Sequence, residues 1–245
     1  MQCYQVQDPY IGYTLATMSK RLDDINDELL CQIIRATGDY DYLRSATLKY
    51  LYAEKRLVSL GRKIADYKRR VEFRNGITMF PSTLSIEMDL DHCIASLRSS
   101  LEHLAQLINC VVKLGLQPTG HVKDKKTVSL PNVVEAIRDR LKSENNQYLS
   151  DLSELLSGEK DKDWYKELDR FRIEMYHHKS REILNYQDPR LAPNMMDELF
   201  LIPPDVAISA KTKRDPEICR FCQSQVNDIE NVLYKSFYLL SRYLS

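Results

Sequence analysis

The chain has 245 residues with 35 basic and 35 acidic side chains, so it can bury a substantial core but has no net charge to steer it onto nucleic acid or an anionic membrane. Only 7 glycines and 9 prolines occur, which favours an all-α protein with long elements. No run of about 18 apolar residues is present, and Met1-Gln2-Cys3-Tyr4-Gln5 lacks the basic and apolar regions of a signal peptide, so a soluble, cytoplasmic protein with no membrane partner is expected.

From about residue 10 to 36, Leu15, Met18, Leu22, Ile25, Leu29 and Ile33 recur at threes and fours, the spacing of a helix of heptad character. Thr37-Gly38-Asp39 stops it, and a second helix is predicted over about 42–73 with Leu43, Tyr50, Leu57, Leu60, Ile64, Tyr67 and Val71 on its stripe. The short connection makes these two an antiparallel hairpin. Residues 1–78 are read as this N-terminal hairpin, an extra layer or dimerisation arm, and 79–245 as an antiparallel helical bundle.

The third helix starts after Pro81, capped by Ser82 or Thr83, and holds a near-heptad period through Ile86, Leu90, Ile94, Leu97, Leu101, Leu104, Ile108 and Val111 until Gly115 ends it. A charged loop follows over 115–131, then two shorter helices at about 132–142, capped by Asn132, and 145–157, broken by Ser157-Gly158-Glu159-Lys160. A helix over about 162–181 comes next. Periodicity is lost over 184–214, where Pro189, Pro193, Pro203 and Pro204 mark an irregular connection with a short strand at 198–202. Asp215-Pro216-Glu217 opens a last helix to about Tyr243, with Ile218, Cys222, Gln225, Ile229, Val232, Phe237 and Leu240 inward.

The residues that carry chemistry lie on the 162–181 helix, in Arg170-Phe171-Arg172-Ile173-Glu174-Met175-Tyr176-His177-His178. Histidine titrates near neutrality, and arginine presents a planar, permanently charged fork matched to phosphate oxygens. On a helical wheel Trp164, Leu168, Phe171, Met175 and His178 share the core stripe, and Arg172 lies at its edge. Arg170, Glu174, His177 and Arg181 form a separate flank. Arg172 and His177 are thus about 140° apart on one ideal helix and cannot converge on one small group. A site using both needs the helix to end or distort near His177, or needs a second copy of the motif. With Lys179, these cations make a local patch able to hold phosphate.

Other groupings read more simply as structure. The cysteines Cys3, Cys31, Cys93, Cys110, Cys219 and Cys222 fall mostly at apolar-face positions and read as reduced core thiols, including the pair in Cys219-Arg220-Phe221-Cys222. Glu87, Asp89, Asp91, His92, Glu102 and His103 flank an apolar stripe, with no matching pair on another helix as a two-metal bundle requires, so no metal and no cofactor is expected. The tyrosines along the second helix, Tyr40, Tyr42, Tyr50, Tyr52 and Tyr67, suit an interface.

The spacing Arg172-Ile173-Glu174-Met175-Tyr176-His177, followed by His178, resembles the signature of the HEPN superfamily, and the segment Asp89 to Asn109 is similar to the long early helix of bacterial HEPN-like proteins. The likeness covers about residues 82–245. It implies a homodimer in which two motif helices face each other across one cleft. It also implies a metal-independent endoribonuclease with Arg172 and His177 catalytic, and Arg170, His178, Lys179 and Arg181 supporting or phosphate-binding. The same resemblance allows a catalytically inactive module that binds RNA, a nucleotide or a protein, and a toxin–antitoxin or defence setting with a protein antitoxin or regulator as partner. This chain departs from the family pattern at Ile173, where the residue after the arginine is usually polar.

Overall fold

The computed structural model describes residues 27, 29–37, 41–70, 72–74, 77–79, 81–117, 126–166, 168–169, 183–186, 198–201 and 218–245. They form an all-α helical bundle carrying two small β-hairpins. The helices are α1 (29–37), α2 (Asp41–Arg70), α3 (Leu84–Val112), α4 (Leu130–Leu141), α5 (Gln147–Lys160), α6 (163–166 and 168–169) and α7 (Ile218–Leu244). No helix among the described residues is long and apolar enough to cross a membrane.

The periodic stripes of the sequence become the core. All eight predicted inward positions of α3 and all seven of α7 are buried, as are Leu43, Tyr50, Leu57, Leu60, Ile64 and Tyr67 on α2. Each buried leucine or isoleucine contributes roughly 1.5–3 kcal/mol relative to exposure. Residues of all seven helices, from Leu29 on α1 to Leu240 on α7, belong to one hydrophobic cluster.

α2 runs antiparallel along α3, which fixes the register of the central pair. The Ala46 carbonyl accepts from Ser100 Oγ at 2.7 Å, the Ala53 carbonyl accepts from Cys93 Sγ at 3.6 Å, and Lys63 Nζ donates to the Ser85 carbonyl at 3.0 Å. As residue numbers rise on one helix they fall on the other. α7 packs on α2, α3 and α5, and α4 packs on α3 and α5. Arg140 ties three helices together: it donates to the Val112 carbonyl, to Glu144 at 2.7 Å and to the Tyr243 hydroxyl at 3.5 Å.

Several boundaries differ from the sequence expectation for local reasons. α2 stops at Arg70, and Glu72–Arg74 (β1) pairs antiparallel with Ile77–Met79 (β2), Arg74 opposite Ile77. Only Asn75-Gly76 separates the strands, the dipeptide favoured in two-residue hairpins. α3 ends at Val112, three residues before Gly115, with Lys113 in the left-handed conformation at φ 56°. Asn109 closes that end by accepting from the Leu116 amide at 3.0 Å and donating to its carbonyl at 3.1 Å.

α4 begins earlier than expected because Ser129, not Asn132, is its cap, with Pro131 in the first turn; Asn132 instead donates to the Thr127 carbonyl at 2.7 Å. α5 is capped by Asn146 and runs through Gly158 to Lys160, since one glycine weakens a helix without ending it. Within the stretch expected to be irregular, Ile183–Tyr186 (β3) and Glu198–Leu201 (β4) pair antiparallel; the strand at 198–202 was foreseen, its partner was not. The expected helix before Asp27, and the expected cap of α7 at Asp215, lie outside the described residues.

Candidate functional site

Arg170, Arg172, His177, His178, Lys179 and Arg181 lie outside the described residues, as do Phe171 and Met175. The chain leading into them is described, and it is anchored twice. Trp164, Tyr165 and Leu168 on α6 are buried, so the first half of the predicted core stripe packs as its spacing requires. Trp164 Nε1 donates to Glu159 Oε2 at 3.1 Å, while Lys162 Nζ donates to Glu159 Oε1 at 2.9 Å. Both carboxylate oxygens of this buried residue are therefore used to tie the start of α6 to the end of α5.

The second anchor is Arg98 on α3, which the sequence reading did not single out. Its guanidinium donates to the Tyr165 hydroxyl at 3.0 Å, pairs with Asp169 Oδ1 at 3.1 Å and lies 5.2 Å from the centre of the Tyr165 ring. Asp169 directly precedes Arg170 in sequence, so this fork holds the chain at the threshold of the motif. Only a planar fork serves both partners. Arg98→Ala is expected to destabilise the fold by about 1–2 kcal/mol, because the Asp169 side of the pair is partly solvent-screened. Hydrogen exchange should quicken at the amides of 163–169 and not at those of α4, and Arg98→Lys should rescue only in part.

The acidic and imidazole groups of α3 do not form a ligand set; among the described residues no three His, Cys, Asp or Glu side chains could together hold a metal ion. Asp89, 2% exposed, faces α2 and accepts from Arg56 Nη1 at 3.1 Å and Ser59 Oγ at 2.7 Å, with Lys63 Nζ at 2.7 Å. Burial by itself would raise its pKa, but Lys63, Ser59 and Arg56 outweigh it and hold the carboxyl below the usual carboxylate range. Glu87 accepts from Thr83 Oγ1 at 2.6 Å, and Asp91 and His92 are exposed. His103 is half-buried, and burial with nearby Lys49 disfavours its imidazolium.

A second buried acid sits between α2 and α7. Tyr50 Oη donates to Glu54 Oε1 at 2.9 Å, and Glu230 adds a further negative field at the same phenol, so burial and these carboxylates raise the Tyr50 pKa strongly. Burial also raises the Glu54 pKa, more than the Tyr50 hydrogen bond lowers it. A folded pKa above the unfolded one means that this group's contribution is fully present below the ordinary glutamate pKa and is lost as pH rises through the folded value. Glu54→Gln, which keeps the acceptor for Tyr50, is therefore expected to match the wild type near pH 4. At pH 8 it should be more stable by about 1 kcal/mol, or roughly 2–4 °C in Tm, as scanning calorimetry would read.

Of the tyrosines expected at an interface, Tyr50 and Tyr67 are buried in the core and Tyr52 is exposed, with Arg56 stacked 4.8 Å above its ring. None of the five described cysteines is in a disulfide; Cys93 and Cys222 are buried, Cys110 and Cys219 are half-buried, and Cys31 is exposed rather than in the core. Searched against protein-family models, curated proteins and solved structures, the chain matches none.

Proposed function

We propose that the chain is a HEPN-like, metal-independent endoribonuclease that works as a homodimer, with Arg172 and His177 as its essential pair. The observation that carries this reading is the Arg172-to-His177 spacing, with its doubled histidine, directly after a helix anchored on α3 of an all-α bundle. The wheel separation of Arg172 and His177 supports pairing across two subunits, where the arginine of one meets the histidine of the other.

In such a cleft neutral His177 accepts the proton of a ribose 2′-hydroxyl as it attacks the adjacent phosphorus, and the 5′-oxygen departs, leaving a cyclic phosphate. Arg172 supplies bidentate donors where charge accumulates on the phosphoryl oxygens. Arg170, His178, Lys179 and Arg181 add positive charge for the flanking backbone, so binding should weaken steeply with salt.

Ile173 favours a second reading, a catalytically inactive module that binds RNA, a nucleotide or a protein regulator through the same cations, because an apolar residue there removes a hydrogen-bonding group beside the motif arginine. RNA cleavage measured in excess chelator, beside RNA binding and light scattering, separates the two. Cleavage by a dimer supports the enzyme. Tight binding with no cleavage supports the module, and a strict monomer at micromolar concentration contradicts the composite site.

A further inference from the structure

α4 and α5 flank an open cleft of about 440 Å³ whose lining includes Arg138, Ser150, Ser153, Glu154, Ser157 and Asp161. Ser150, Ser153, Glu154 and Ser157 repeat at i, i+3, i+4 and i+7 on α5, with Asp161 just past its end, so a single face of that helix is polar where it turns toward α4. Ser153 is 5% exposed, lines the cleft and makes no side-chain hydrogen bond within the described residues. A serine so buried ordinarily satisfies its hydroxyl inside the protein. Here the cleft is where a partner for it can sit.

The charges around that hydroxyl are also unspent. Arg138 donates from Nη2 to Ser157 Oγ at 2.6 Å but forms no ion pair among the described residues, and neither do Glu154 and Asp161 on the opposite wall. One cation and two carboxylates, all on exposed residues, thus line one cleft without pairing with each other. Ser157 lies three residues after Glu154 and four before Asp161, which puts the arginine's contact about 5 Å along the helix axis from one acid and about 6 Å from the other. A phosphate on Arg138 would share the cleft with both carboxylates. A ligand with one carboxylate and two ammonium groups complements all three charges, and its polar atoms can meet the serine hydroxyls.

We propose that this cleft binds a basic α-amino acid, free or as the last residue of a peptide, with its carboxylate on Arg138 and its ammonium groups toward Glu154 and Asp161. The site is independent of any RNA chemistry at the motif.

The test is NMR titration of the labelled full chain with L-lysine, with norleucine, which lacks the second ammonium, and with cadaverine, which lacks the carboxylate. Lysine is expected to give saturable shifts at the amides of Ser150, Ser153, Ser157 and Gly158, with both analogues about tenfold weaker or worse. Arg138→Ala and Glu154→Gln alter exposed side chains and should keep the wild-type Tm while losing about tenfold in lysine affinity. A peptide ending in a free lysine carboxylate that binds more tightly than lysine assigns the ligand to a chain end; weaker binding assigns it to the free amino acid. No saturable shift by about 20 mM lysine, or equal responses from wild type and Arg138→Ala, overturns the proposal.

Discussion

His177→Ala is expected to lower RNA cleavage by about 10²–10⁴-fold, the range for removing a positioned general base, while leaving the thermal transition close to that of the wild type. Arg172→Ala should fall by a similar factor, about 10²–10³-fold, through loss of charge stabilisation in the transition state. The two substitutions should differ with pH. The residual activity of His177→Ala should lose the rise through the histidine range that is expected of the wild type, whereas Arg172→Ala should keep it, since arginine does not titrate there. Single-turnover cleavage in chelator across pH 5–8 reads both effects. RNA affinity at fixed salt should change much less for His177→Ala than for Arg172→Ala, because only the arginine is charged throughout.

Asp89→Ala should give the largest loss of stability among the described polar residues. The carboxylate joins the second turn of α3 to the second half of α2 through three donors and is itself 2% exposed. Removing it leaves Arg56 and Lys63 without this partner, but their side chains are 30% and 37% exposed and can turn to water. The cost is therefore about 2–3 kcal/mol, below that of breaking a sealed ion pair, or roughly 4–12 °C in Tm.

The pH dependence has a fixed sign. Because the folded pKa of Asp89 is depressed, its contribution is present above the ordinary aspartate pKa and is lost as pH falls through the folded value. Wild type and Asp89→Ala should consequently converge in acid and separate most at neutral pH. Glu54→Gln also converges with the wild type in acid, but at higher pH it departs in the opposite direction, as the more stable protein. Denaturation curves at pH 3 and pH 7 would show whether the two buried acids behave with opposite signs.

The parts of the fold legible in the sequence are those set by burial along one helix. α3 and α7 carry uninterrupted stripes, and every predicted inward residue on them is buried. The misplaced boundaries came from local competition. Glu72–Arg74 pairs with Ile77–Met79 where the helix is expected to continue to Phe73, and Ser129 takes over the cap from Asn132 because Pro131 suits the first turn.

The anchors were not legible, because they join residues far apart in sequence. Arg98 meets Tyr165 across 67 positions, and Arg56 meets Asp89 across 33. Periodicity along one helix carries no information about such pairs. The motif was legible only as a spacing: the wheel states which side of a helix each group occupies, and a partner surface in a second subunit leaves no trace in that pattern.

That second subunit is the central claim, and subunit exchange tests it most directly. Arg172→Ala and His177→Ala homodimers, each inactive, are mixed under conditions that exchange subunits and assayed for RNA cleavage. If arginine and histidine pair across the interface, each mixed dimer retains one complete pair, and activity should recover to roughly a quarter of the wild-type level at statistical exchange. Full exchange, verified by mass-tagged subunits, with no recovery of cleavage would contradict a site shared between two chains.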